Sequence, residues 1–300
     1  MRTRNILAFA ALPLVITAGA YFLSPSDSAE SPAAPSVSAA QQAREEAKER
    51  AESERAADEK TIRSLPPGLA EPGKRELAFK ITASAEFSSL DWKVGYASVE
   101  SNDDDCGYTA GVAGFCTGTN DLLELVERYT DEYPDNGLAR YLPALREVNG
   151  SDSLDGLDGF RAAWKAEADK PDFRKMQDKE RDRVYFNPAV RLAKLDGLGT
   201  LGQFIYYDAM LLHGPDPEPE GFYGLRERAL RKAEPPSRGG SEKQYLDVFL
   251  DLREEAMKRK RSTADTSRIA TAQRQWLRNG NLSLRTPLSW SMYGEHYQVP

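Results

Sequence analysis

From Asn187 to Leu212 the chain carries its longest apolar pattern, running through Leu192, Leu195, Leu198, Leu201, Phe204, Ile205, Ala209 and Leu212 at helical spacing. A helix that is apolar on most faces must be buried on most faces, so this stretch predicts a central helix against which the rest of the fold packs. Pro188 suits the first turn of that helix, where its missing N–H is no loss. His213-Gly214-Pro215 stops it, and the Pro/Glu run to Glu220 reads as a surface loop.

Shorter periodic segments surround it. Ala78, Ile81, Ala85 and Leu90 predict an amphipathic helix that follows Pro72-Gly73 and ends near Trp92. Thr119 or Asn120 can cap a helix through about Tyr133, with Leu122, Leu123, Leu125 and Val126 as its buried stripe. Further helices are expected near 138–148, 160–168, 172–185, 224–233, 241–259 and 267–279, ending in a Pro/Trp/Tyr-rich tail. Trp92, Trp164, Trp276 and Trp290 read as core rather than as ligand platforms.

The N-terminal part differs in composition. Arg2 and Arg4 precede an apolar run from Ile6 to Leu23 with Ala18-Gly19-Ala20 as a small-residue cleavage site, so residues 1–23 read as a secretory signal peptide. The rival is an uncleaved anchor, since the run nearly spans a bilayer; Pro13 and the cleavage site favour removal. Ser24 to Ala40 is a Ser/Ala/Pro-rich linker, and Gln41 to Ile62 consists of helix formers with no apolar seam, a solvated helical spacer. Linker and spacer thus fill residues 24–64. The folded domain occupies 65–300, opening at Leu65-Pro66-Pro67-Gly68.

Forty Lys and Arg against 47 Asp and Glu leave a formal net charge of −7. An acidic surface repels nucleic acid and anionic lipid headgroups and concentrates a polycation. Only two histidines, His213 and His296, are present, which supports neither a Ser/His arrangement nor a metal cluster. Cys106 and Cys116 are the only cysteines. A single strand over 107–113 would hold them tens of ångströms apart, roughly 3.3 Å per residue, so the reading leaves them unpaired unless that segment folds back on itself.

Chemistry concentrates between Ser84 and Asp121. Glu86 lies in the last turns of a helix, and Val94 to Glu100 and Gly107 to Ala113 read as two short strands around the turn Asn102-Asp103-Asp104-Asp105. The triple aspartate invites a calcium loop, but no Glu closes it at the required distance, and no metal is expected. A helix bearing one acid, followed by a hairpin bearing another, matches the requirement of glycosidic bond hydrolysis: one carboxyl protonated to donate to the leaving oxygen, one ionised.

Several blocks sharpen this pattern. Ser84-Ala85-Glu86 with Ser88-Ser89-Leu90-Asp91-Trp92-Lys93, then Gly107-Tyr108-Thr109, Gly114-Phe115-Cys116 with Gly118-Thr119 and Asp121, Glu180 to Phe186 and Asp265 to Arg268 follow in one order. Together, from about Gly68 to Tyr293, they resemble the chitosanases of glycoside hydrolase family 46. The resemblance implies an α+β, predominantly helical, lysozyme-like fold of two lobes with a small β-hairpin and a long central helix. It also implies a secreted, cofactor-free, monomeric endo-hydrolase that cleaves β-1,4 links between glucosamine units of chitosan with inversion.

On this resemblance Glu86 is the general acid and Asp104 the general base, with Thr109 helping to hold the attacking water. Ser88, Thr119 and Asp121 would contact sugar, Asp121 through an amine. Asp182, Arg253 and Arg268 would form a buried network behind the acid. Cys106, Ser98 and Thr263 stand where the family has arginine, tyrosine and histidine, which puts subsite affinity in question. A cell-wall muramidase and a non-catalytic chitosan-binding wall protein are the other two readings.

Overall fold

A computed structural model describes residues 37–101 and 106–300. The expected signal peptide, most of the linker and the turn 102–105 with Asp104 lie outside the described residues. Two units are distinguished, residues 1–53 and 54–300. Helix α1 (Val37–Ser64) is the expected spacer and is exposed along most of its described length. Its last turns, in the second unit, carry Asp58 and Glu59, which accept from Arg191 at 3.0 and 3.2 Å.

Helix α2 (Pro72–Glu86) starts where Glu71 caps it, the carboxylate accepting from the backbone N–H groups of Gly73 and Lys74. It ends at Glu86, six residues before the expected stop at Trp92. Beyond it Ser88 takes a φ of 49°, and a 3-10 turn (Trp92–Ala97) opens under the Asp91 carboxylate. Leu90 thus belongs to a turn rather than to the helical stripe.

The expected hairpin is a three-stranded antiparallel sheet of β1 (Val99–Ser101), β2 (Tyr108–Ala110) and β3 (Phe115–Cys116), in that order. Residues 107–113 are not one strand. The chain reverses after Ala110, with Gly111 at φ 80° and Gly114 at φ 64°, and a Cβ on Gly111 would lie 2.6 Å from the Gln177 side chain. The reversal sets Thr109 opposite Cys116 and brings the Cys106 and Cys116 Cα atoms to 5.5 Å. The two cysteines form a disulfide, contrary to the expectation drawn from a straight strand.

Helices α3 (Asp121–Glu132), α4 (Leu142–Val148) and α5 (Phe160–Ala168) follow. Neither Thr119 nor Asn120 caps α3 with its side chain: Asn120 lies at φ 71°, and the Asp121 carboxylate itself accepts from Leu122 N–H. The long helix starts earlier than the apolar pattern suggested. It comprises α6 (Pro171–Arg181), a π turn (Asp182–Phe186) and α7 (Asn187–Leu195), spanning about 37 Å at 1.5 Å per residue. Pro188 therefore sits in mid-helix. The wider turn accommodates it: Asn187 N–H reaches back to Asp182 C=O, and a proline that offers no N–H four residues beyond Val184 breaks nothing.

After Leu195 the helix breaks, and α8 (Thr200–His213) begins anew. Gly197 adopts φ 78°, and a Cβ there would meet Ser237 N at 2.8 Å. α7 buries one face and α8 is buried over Leu201 to Met210, so the apolar pattern runs through the break without a gap in hydrophobicity. Helices α9 (Phe222–Lys232) and α10 (Glu242–Lys260), a second π turn (Arg268–Gln273) and α11 (Arg274–Arg278) complete the helical set.

The tail is a hairpin, β4 (Leu288–Met292) with β5 (Glu295–Val299). Leu288, Trp290 and Met292 face inward in alternation, and the Trp290 indole donates to Ser84 Oγ at 2.9 Å. Trp164, Trp276 and Trp290 are core, whereas Trp92 is half-buried and donates to Glu76. The long helix divides the domain into two lobes: α3 and α5 pack on α6, and α8 packs on the π turn and α7.

Candidate active site

Between the lobes lies a cleft of about 910 Å³ whose walls include Glu86, Cys106, Thr109, Thr119, Asp121 and Tyr293. Glu86, the last residue of α2, leaves 40% of its side chain exposed to the cleft. Arg268 Nη1 donates to Glu86 Oε1 at 2.5 Å. With Oε1 thus engaged, a proton to be delivered would sit on Oε2.

Arg268 is buried, and its placement depends on a second shell of charge. Its Nε donates to Asp208 Oδ1 at 2.8 Å. Asp208 Oδ2 in turn accepts from Arg253 Nη2 at 2.8 Å and Gln273 Nε2 at 2.6 Å, while Arg253 Nη1 donates to Gln273 Oε1 at 2.7 Å. Burial opposes ionisation of Asp208, but Arg268 and then Arg253 outweigh it and hold the carboxyl down at about 2. His213 closes the network 3.5 Å from Arg253 Nε. Burial, reinforced by Arg253 and Arg268, depresses His213 to about 3, so its imidazole is neutral.

The carboxylate between the two arginines is Asp208 and not Asp182. Asp182 lies at the start of the π turn, 23% exposed, and pairs with Arg75 of α2 and with Arg181. Asp208 was detectable in the sequence by another signal. It is the one acid within Leu201 to Met210, a run buried throughout, and an ionised carboxylate in such a run requires cationic partners.

On the opposite wall, Thr109 sits on β2, and among the described residues its buried Oγ1 has no hydrogen-bond partner. Such a hydroxyl is available to water or substrate. The β1–β2 pairing of Ser101 with Tyr108 and the disulfide at Cys106 fix both ends of the segment that carries Asp104. The Cys106 carbonyl is anchored as well, accepting from Thr117 Oγ1 at 2.9 Å and Gly118 N–H at 3.1 Å.

Asp121 and Thr119 share this wall. Asp121 Oδ1 accepts from Thr119 Oγ1 at 2.7 Å and from the N–H groups of Cys116 and Leu122 at 3.0 Å, and Tyr185 donates to Oδ2. Burial raises the Asp121 pKa against these bonds. Ser88 lies exposed past the helix end and is not among the residues that line the described cleft. Among the described residues no three His, Cys, Asp or Glu side chains are grouped to hold a metal ion.

A model of glycosyl hydrolase family 46 matches residues 80–288. The chain belongs to this family. It is 51% identical to a chitosanase of a Streptomyces species over 233 residues, 77% of this chain and 84% of that protein. Identity to the chitosanase of Bacillus subtilis is 42% over 190 residues, 62% of this chain and 68% of the relative. Among solved structures, a chitosanase co-crystallised with substrate superposes with a TM-score of 0.76 at 47% identity, covering 79% of this chain and 100% of that one. A family 46 chitosanase of Gynuella sunshinyii in complex with chitotetraose gives 0.72 at 29% identity, covering 79% and 99%.

The family 46 fold is the lysozyme-like, predominantly helical one expected from the sequence blocks. Of the residues singled out from sequence, the cleft gathers Glu86, Thr109, Thr119 and Asp121 on its walls and sets Arg268 and Arg253 behind Glu86. Asp208, Gln273, His213, Tyr185 and Tyr293 were not anticipated as parts of the site.

Proposed function

We propose that this family 46 protein is an inverting endo-chitosanase that cuts β-1,4 links between glucosamine units. The carrying observation is the position of Glu86 on the cleft wall, with Arg268 on one carboxyl oxygen and the other oxygen free to donate. The relatives it resembles are named chitosanases, and one solved neighbour holds chitotetraose. Glu86 protonates the leaving glycosidic oxygen. Asp104, in the sequence between Ser101 of β1 and the disulfide-bonded Cys106, directs water at the anomeric carbon with Thr109 as second partner. In inverting enzymes the two carboxyls stand roughly 6.5 to 9.5 Å apart to admit that water.

Asp121 and Thr119 lie where an amine or hydroxyl of a bound sugar would meet them, and the acidic chain draws in a polycation. Residues 65–300 are the catalytic domain in this reading, with 24–64 as linker and spacer and 1–23 as signal, and the enzyme acts outside the cell as a monomer. Leu69, fully buried with its N–H on Gln203 Oε1 at 2.8 Å, supports a domain start near 65.

The test is hydrolysis of a reduced-end-labelled glucosamine hexamer, following fragment length and anomeric form by NMR. Internal cuts that release the α-anomer are expected. A β-anomer would overturn inversion, and an intact hexamer with cleavage of peptidoglycan would replace chitosan as substrate.

A further inference from the structure

Tyr293 stands at the tip of the β4–β5 hairpin with φ 51°, followed by Gly294 at φ 87°. Met292 pairs with Glu295, so these two residues form a type I′ loop, whose first position favours Asn, Asp or Gly. A bulky aromatic there strains the backbone without serving the turn. Nor is the ring buried in return: Tyr293 is 43% exposed and lines the cleft that holds Glu86.

The turn is tied to the catalytic network. Tyr293 N–H donates to Ser267 Oγ at 2.9 Å, and Ser267 immediately precedes Arg268. Burial raises the pKa of the phenol, and Arg268 and Glu86 both act on it, in opposite senses. No hydrogen bond among the described residues occupies its hydroxyl. Strain retained at an exposed aromatic beside a reactive carboxyl is explained by a ligand contact, not by hairpin stability.

We propose that Tyr293 is a substrate contact: its ring packs on the sugar lying against Glu86, and its hydroxyl hydrogen-bonds to that sugar, orienting the glycosidic oxygen for protonation. The proposal rests on the chitosanase reading of the cleft. A structural role and a substrate role predict different results for Tyr293→Asn, because Asn suits the turn and cannot replace the ring.

Full-length Tyr293→Asn and Tyr293→Phe are compared with the parent by thermal melting and by steady-state hydrolysis of a glucosamine hexamer. Tyr293→Asn is expected to keep or raise Tm, by up to about 2 to 4 °C, while kcat/KM falls at least about tenfold, largely through KM. Tyr293→Phe should keep Tm and lose a few-fold in kcat/KM. An Asn variant within about twofold of the parent overturns the proposal. So does one whose Tm falls along with its activity, and a Phe variant equal to the parent removes the hydroxyl's part. Should the parent itself leave the hexamer intact, the hydrolase reading fails, and calorimetric titration with the same hexamer decides the contact. At least about tenfold weaker binding by Tyr293→Asn supports it; equal binding overturns it.

Discussion

Arg268 holds Glu86 at 2.5 Å with a guanidinium whose other edge is fixed by Asp208. The acid at the end of α2 is therefore oriented by an arginine 182 positions later in the chain, itself buried and held by Asp208. Replacing Glu86 by Gln preserves an oxygen for Arg268 to bond but removes the transferable proton. Glu86→Gln should keep Tm within a few degrees and lower kcat by at least about 10²-fold. Melting and hexamer hydrolysis check both halves, and appreciable residual turnover would refute the role.

Asp208 and Asp182 can be separated by the same kind of substitution. Asp208→Asn strands two buried guanidinium groups and should cost roughly 3 to 5 kcal/mol of unfolding free energy. Asp182→Asn weakens a partly exposed pair and should cost about 1 kcal/mol or less. Denaturant titration of the two variants measures the difference, and the opposite order would return the buried role to Asp182. The acid dependence has a definite sign: with its carboxyl held at about 2 against an ordinary 3.8, Asp208 contributes full stability above about pH 4 and loses it as pH falls toward 2.

These two aspartates show what the chain discloses of itself. The helix that ends at Glu86 and most other helices follow from periodicity and local blocks, because those signals are local. Asp182 sits in a conspicuous charged block, Glu180 to Phe186, yet what matters is which acid faces Arg253 and Arg268, a matter of the α8–α10 packing that no local pattern encodes. The break at Gly197 stayed hidden because the apolar residues of the buried face of α7 and of α8 continue across it. The disulfide stayed hidden because the reversal at Gly111 and Gly114 lies inside a segment whose composition suits a strand. The β4–β5 hairpin was missed as well: its composition reads as a Pro/Trp/Tyr-rich tail, although Leu288, Trp290 and Met292 alternate in the pattern of a half-buried strand.

His213 gives the domain a second acid sensitivity. Its pKa, depressed to about 3 from an ordinary 6.5, means that the unfolded chain binds the proton first. Stability is full above about pH 6.5 and declines as pH falls toward 3, by up to roughly 1.4 kcal/mol per pH unit. His213→Gln, which cannot take up the charge, should flatten stability across that window. Urea titrations of parent and variant at pH 7, 5 and 4 test this; parallel pH profiles would show that His213 does not titrate on unfolding.

The Cys106–Cys116 disulfide closes a short loop that contains β2 and the reversal, and it holds one end of the segment carrying Asp104. Cross-linking residues about ten apart removes roughly 2 to 3 kcal/mol of conformational freedom from the unfolded chain. Reduction with dithiothreitol, or Cys106→Ser, should lower unfolding free energy by about that amount. Activity should fall further than unfolding explains, because a hairpin released at Cys106 holds the neighbouring Asp104 less well in molecules that remain folded. Kinetics measured well below the melting temperature isolate this effect. A reduced enzyme with unchanged kcat and a lowered Tm would confine the disulfide to stability, whereas a fall in kcat at constant fold assigns it the further task of holding the attacking side of the cleft in register with Glu86.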